Sequence, residues 1–557
     1  MECAYAYTSG RETGRFGRPS PGRDGGRGTD LAYDGLGRLV QVWLQDRPKA
    51  KDFTPSIKYE YLIRGADGPA AVHTQKIEND GTSYGSEWSL YDGWLRPRQD
   101  QTEGGVRTTV VKDARDNTTT RIQYPVDGDA VTTSYGYDDA GRLTGVTDDK
   151  GNDRTYTYDQ LGGKKTAVDP DTGSSSYTYD ALDRQTSVTV NGDKTSTVYD
   201  EPGRPVSTWQ GEATTGTKLS VTKYDTVHKG ELYGVCTYKD GAVYSSVTYP
   251  TLDPDNDYAP VSTKYYLSKT AEPQLGGTYE FTAQYNDDGT PQSQGLPATG
   301  DLSAEAVGYV YDGLRRPTGL TTSLGGLSYV TDVSYSPTSN LEQLELYRGE
   351  ATAKKTWITH NYEAGTDRLT NSRVDVQGAS SVAYDADYTY DKAGDILSVA
   401  DTPTGGTSDV QCFSYDGLGR VSSAWTSSVE SNGAKGTGST DASCASGAST
   451  STVGGVSPYW TDYGYDTIGN RTSEVRHGLN GAATSSRTYK YGETGSGPNG
   501  AASGAHTVSS VTEKTGATST TPAVTSQNSY TYDASGNTKT RVLDGDTQSL
   551  AGTSRAS

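Results

Sequence analysis

A carboxylate beside a phenol is acid–base equipment, and this 557-residue chain carries that pair again and again. Tyr-Asp stands at Tyr33-Asp34, Tyr137-Asp138, Tyr158-Asp159, Tyr179-Asp180, Tyr199-Asp200, Tyr311-Asp312, Tyr390-Asp391, Tyr415-Asp416, Tyr465-Asp466 and Tyr532-Asp533, with weaker forms around Tyr91 and Tyr224. The repetition argues against catalysis, because one active site does not need a dozen copies. Turn chemistry already accounts for the Asp, whose carboxylate bonds backbone N–H groups two residues on. Other chemistry fares no better. The five histidines (His73, His228, His360, His477, His506) are scattered, without HExxH or ligand spacing. Asp253-Pro-Asp255-Asn-Asp257 opens like a calcium loop, but Tyr258 sits where the loop needs Gly and Lys264 where it needs its closing Glu. No Gly-rich stretch reads GxxxxGK[ST], and with 70 Asp and Glu residues, paired carboxylates arise by accident. The expectation is a chain with no catalytic, cofactor or metal site.

The elements that carry these pairs follow from the flanking residues. Tyr137, Tyr158, Tyr179 and Tyr199 stand 21, 21 and 20 residues apart, so one supersecondary unit is stacked on copies of itself. In SSYTYDALDRQTSVTV, Tyr177 and Tyr179 fall on one strand face and Thr178 on the other. Thr, Tyr and Val suit a pleated surface, and good helix formers never recur at helical spacing. The glycine three residues after the Asp, as at Gly37, Gly141, Gly203, Gly419, Gly469 and Gly536, supplies the positive φ of a short hairpin loop. Arg38, Arg142, Arg204 and Arg420 then open the return strand. Each repeat reads as a β-hairpin, and the chain as an all-β array in one long spiralling antiparallel sheet. Leu143 and Val146 have opposite parity, which calls for either a bulge or a strong twist in the return strand. So many twisted strands are expected to close or to be capped at their edges.

Composition narrows the partners. A net charge of -20 is wrong for nucleic acid or an anionic membrane surface. No stretch is apolar enough for a membrane helix, and no secretory signal is visible. Only 32% of residues are aliphatic, aromatic or Cys, yet 42 are Tyr, a ring that buries apolar area while keeping a wetted hydroxyl. Residues 1–28 read as a disordered Gly/Arg-rich leader and 29–541 as the repeat array. Flexible insertions are expected at about 427–457 and 492–528, and a tail at 542–557. Cys412 and Cys444 are the disulfide pair to expect in a secreted protein; isolated thiols in a reducing compartment are the equal alternative. Cys3 and Cys236 have no obvious mates.

The Y-D-x-x-G-R-L motif at this spacing resembles the YD, or RHS, repeat of bacterial RHS proteins, insecticidal toxin complex shells and animal teneurins, from about Leu31 to Arg541. CFSYDGLGR at Cys412 and PYWTDYGYDTIGNRTSE at Pro458 resemble actinobacterial-type RHS proteins. The resemblance implies a spiral of hairpins wound into a hollow shell, secreted or at the cell surface, that encloses a C-terminal toxin or effector in bacteria and serves adhesion in teneurins. The autoproteolytic aspartates, the DPxG-type core and the toxin that follow in bacterial relatives are missing here, so the chain reads as a truncated piece of a shell whose partner would be its own missing C-terminal segment. The function to expect is a non-catalytic scaffold. The rival is a surface module gripping glycan or protein through exposed Tyr and Trp43, Trp88, Trp94, Trp209, Trp357, Trp425 and Trp460.

Overall fold

The computed structural model describes residues 28–65, 68–325, 327–347, 353–492 and 504–550. Apart from Gly28, the leader lies outside the described residues, as do Cys3 and residues 551–557 of the tail. About 54% of the chain is strand and the described residues hold no α-helix. Forty strands form one sheet in which almost every strand pairs antiparallel with its successor in sequence, as Val131–Tyr137, Leu143–Thr147, Asp153–Tyr158 and Lys164–Asp169 do. The exception is Gly436–Thr437, which lies parallel to Thr389 and Tyr390.

Each Tyr-Asp hairpin carries a register shift at the tyrosine. Leu143 pairs with Tyr137, but Gly145 already pairs with Gly136, so one residue is left over. The same shift recurs at Tyr158, Tyr179, Tyr199, Tyr311, Tyr390, Tyr415, Tyr465 and Tyr532. A bulge, then, reconciles Leu143 with Val146, and its recurrence adds twist at a fixed phase of every repeat.

That twist makes the sheet coil. It is not closed edge to edge. Instead, residues about half the chain apart meet: the Val126 N–H donates to the Gly417 carbonyl, the Asn79 N–H to Glu363 and the His506 N–H to Asp171. The Tyr-Asp turns lie along one edge of the ribbon and the connections between hairpins along the other, and a second coil sets its Tyr-Asp turns on the connections of the first.

Three expectations need correction. Residues 427–457 are not a free loop: Thr437, Asp441 and Ser443 are buried, and the segment packs Cys444, Ala448 and Val453 over Ala400, Val410, Cys412 and Trp425. Its few apolar residues are supplemented by internal hydrogen bonds, with Asp441 accepting from the Ser443 N–H and from the Ser443 and Ser431 hydroxyls. A Cys412–Cys444 disulfide ties it to the sheet, while Cys236 is unpaired. The 492–528 insertion contains the strand Val508–Thr515 and the start of Val524–Tyr532; Thr, Ser and Val alternate there in a composition that reads as loop but pleats as sheet. The tail begins as a hairpin, Thr538–Leu543 against Asp546–Ser549.

The disulfide closes a 32-residue separation, for which the chain-entropy model gives about 3.7 kcal/mol of stabilisation. Cys444→Ser is expected to lower the melting temperature and to open residues 427–457 to protease before the rest of the chain; thermal melts and timed proteolysis check both.

Candidate functional site at the turn edge and the seam between coils

The repeated residues build a node that couples each hairpin to its neighbours. At Asp138 the carboxylate accepts from the Ala140 N–H at 3.0 Å, the Arg142 N–H at 2.9 Å and Arg142 Nε at 2.7 Å. The loop closes by backbone bonds between Asp138 and both Gly141 and Arg142, with Gly141 at φ 78° where a side chain would be strained. Arg142 then reaches forward. Its Nη1 donates to the Asp159 carbonyl at 2.8 Å, and the guanidinium lies 4.9 Å from the Tyr158 ring centroid. The Tyr158 hydroxyl reaches back to the Leu143 carbonyl at 2.7 Å.

Asp34 with Arg38, Asp180 with Arg184, Asp200 with Arg204, Asp312 with Arg316 and Asp416 with Arg420 repeat the capped turn. Asn470 and Asn537 take the Arg position beside Asp466 and Asp533, bonding through main chain or amide. Gly37, Gly203, Gly419, Gly469 and Gly536 all have positive φ; Leu95, Asp183 and Arg315 adopt it without being glycine. Backward tyrosine bonds recur from Tyr137 to Thr118, Tyr179 to Lys164, Tyr199 to Gln185, Tyr311 to Pro291, Tyr390 to Leu369, Tyr415 to Ile396 and Tyr532 to Val508. Tyr465 lies under the Arg420 guanidinium, and Tyr33, at the start of the described array, is largely exposed. Two turns depart from the pattern. Asp159 faces Gly163 with no arginine. Asp391 faces Asp395, whose pKa is raised by burial and then by Asp391 itself.

Sequence reasoning missed the seam. Glu363 follows Tyr362 where other repeats have Asp, and its longer side chain reaches beyond its own turn while still bonding Thr366 within it. Fully buried, it accepts from the Asn79 N–H at 2.7 Å, the Thr437 N–H at 3.1 Å, the Thr437 hydroxyl at 2.6 Å and the Thr366 hydroxyl at 2.7 Å. One carboxylate thus joins the first coil, a turn of the second and the insertion. Further along, Lys392 pairs with Glu103, Lys150 with Asp466, His506 with Asp171, and Asn191 donates to the Ala534 carbonyl. The signal in the sequence was the Tyr-Glu variant at 362.

Two histidines approach catalytic geometry. His73 lies between Glu60 at 3.3 Å and the Ser86 hydroxyl at 3.1 Å, stacked 3.9 Å from Trp88. Its strand is paired on both sides, so the local amides serve the ladder rather than a developing oxyanion. At His477, also stacked on a tryptophan, Asp462 lies between the imidazole and the Ser423 hydroxyl, an order in which the imidazole cannot take the hydroxyl proton. Asp253 caps the short turn Pro254–Asn256, and the described residues contain no cluster of three or more His, Cys, Asp or Glu able to hold a metal ion. None of their helices is long and apolar enough to cross a membrane.

No family model matches the chain, and no curated protein does. Solved structures do. The crystal structure of TcdB2-TccC3 without its hypervariable C-terminal region matches with a TM-score of 0.58 at 14% identity, covering 92% of this chain and 29% of that one. The chain shares the fold of that structure. TcdB2-TccC3-Cdc42 gives 0.57 at 14% identity over 92% of this chain and 30% of that one, and the Photorhabdus luminescens Tc holotoxin pore 0.53 at 13% over 94% and 30%. The chain therefore spans less than a third of the length of these toxin chains, and at such identity the likeness is one of fold.

Three outcomes are expected. Tyr390→Phe, removing a half-buried hydroxyl bond, costs about 1 kcal/mol by denaturant titration. Glu363→Ala leaves buried N–H groups unpaired and costs about 3 kcal/mol, while Glu363→Gln, keeping an acceptor, costs less. The turn aspartates set the acid limit. Hydrogen bonding by the Arg96 side chain holds Asp92 at about 2, and Asp138, Asp180 and Asp312 are lowered by bonds from the arginine four residues on. With folded values below the ordinary one, their contribution is complete above about pH 4 and is lost as pH falls through the folded values, about 2 for Asp92. Half-buried Tyr415, raised to about 12 by desolvation, sets the opposite limit, its contribution lost as pH rises through that value. Melts across pH, followed by circular dichroism, trace both ends.

Proposed function

We propose that this chain is a non-catalytic wall segment of an encapsulating shell, a scaffold that helps hold and deliver a toxin or effector in competition between bacteria. The observation that carries the reading is the coil-on-coil seam, which turns a ribbon of hairpins into a continuous wall, on a fold matching TcdB2-TccC3 over 92% of the chain. The site chemistry supports a structural role: its charged groups are engaged with one another, the amides around His73 are committed to the ladder, and the groups around His477 stand in the wrong order for proton transfer. The partner is a toxin or effector segment enclosed by the wall, and the setting is outside the producing cell. A second reading rests on the Tyr265, Tyr279 and Phe281 side chains, which with Thr263 line a cleft on one sheet face, Tyr265 edge-on to Phe281 at 5.5 Å. Rings so placed can stack on sugar, as an adhesion module of teneurin type would require.

Small-angle scattering and circular dichroism on the purified chain are expected to show a compact, hollow, β-rich particle; an expanded or aggregating species would count against a self-supporting wall. A candidate effector segment co-expressed with the chain should resist protease until the wall is denatured, and immediate digestion would remove the encapsulating role. Saturable binding on a glycan array, abolished by Tyr265→Ala, would promote the second reading in its place.

A further inference from the structure

The seam treats one turn position differently in the two coils. Three residues after the tyrosine, the second coil has Ala393, Leu418 and Ile468, all partly buried. Ala393 sits against Gly105 of the first coil, and Leu418 shares a crevice with Val126. In the first coil the same position holds Leu36, Trp94, Leu161, Leu182 and Leu314, each between 58% and 84% exposed. Leu161 and Leu182 stand on neighbouring turns, two strands or about 10 Å apart, whereas Arg115 and Ala140 hold the position between Trp94 and Leu161, and Pro202, Val227 and Asp288 hold it between Leu182 and Leu314, so the outer edge of the ribbon carries an interrupted apolar stripe. Leu161 and Leu182, with Trp94 on the same edge, are the exposed apolar anchors that the turn edge of this acidic chain offers a partner.

What seats such a stripe is already in the molecule. The second coil's turns rest on the hairpin connections of the first, at Asn79, Glu103 to Gly105, Val126, Lys150 and Asn191. The corresponding connections of the second coil, at residues 404–407 and 480–482, are exposed. One copy therefore presents both halves of the seam, the turn stripe at one end of the spiral and the connection edge at the other. We propose that a second copy of this chain docks by its connection edge on the exposed turn stripe, continuing the seam head to tail. The contact joins two different surfaces, so copies add in one direction and the assembly grows with concentration. This rests on the seam alone and does not require the encapsulating role.

The test uses two variants of the full chain. Trp94→Asp with Leu161→Asp and Leu182→Asp breaks the stripe; Thr404→Arg with Ala482→Arg breaks the connection edge. All five positions are exposed, and unchanged circular dichroism and melting temperature verify folding. Wild type is expected to show concentration-dependent association in sedimentation velocity. Each variant alone should sediment as a monomer, and an equimolar mixture should yield a one-to-one dimer through the intact stripe of one and the intact edge of the other. A wild-type chain that stays monomeric to its solubility limit overturns the proposal. Association of the edge variant with itself also overturns it, because the stripe would then be pairing with another stripe.

Discussion

The structure depends on one carboxylate geometry. An aspartate that accepts from two backbone N–H groups and from the arginine four residues on turns the chain at a fixed angle, and repetition turns that angle into a spiral. The arginine is shared: it neutralises its own turn and lies over the ring of the next hairpin, as Arg142 does over Tyr158. The tyrosine bonds in the reverse direction, to the strand before it. Each repeat is therefore held from both sides by polar contacts, and the array stands with few buried apolar residues. The densest apolar cluster, around Cys412 and Trp425, forms where the insertion covers the sheet.

This economy explains which parts of the fold were legible in the sequence. Turn, strand and glycine are local: Asp138, Gly141 and Arg142 lie within five residues, and their chemistry specifies the hairpin. The bulge was half legible, since the clash of parity between Leu143 and Val146 demanded a defect without naming it. The seam was not legible, because Asn79 and Glu363 stand 284 residues apart and their meeting depends on how many hairpins complete one coil. Residues 427–457 misled for another reason. Ser, Thr, Gly and Asp are the composition of flexible chain, and it is the hydrogen bonds around Asp441, the link to Glu363, the apolar contacts over Trp425 and the disulfide that make this stretch ordered.

The histidine clusters show the same limit from the other side. Scattered in sequence, His73, Glu60 and Ser86 come together because cross-strand register sets them on one face of three successive strands. Register creates many such juxtapositions in a sheet of this size, so proximity alone has little meaning until the local amides and the order of the groups are considered.

The seam also keeps count. Successive meetings, from Asn79 with Glu363 through Val126 with Gly417 to Asn191 with Ala534, drift from 284 to 343 residues apart, yet each turn of the second coil still finds the next connection of the first. The drift is absorbed by the insertions, so the wall is indexed in hairpins rather than in residues. Evolution can lengthen a connection without disturbing anything beyond it, whereas gaining or losing one whole hairpin in the first coil would shift every later turn by one seat, like a zip fastened one tooth out of line.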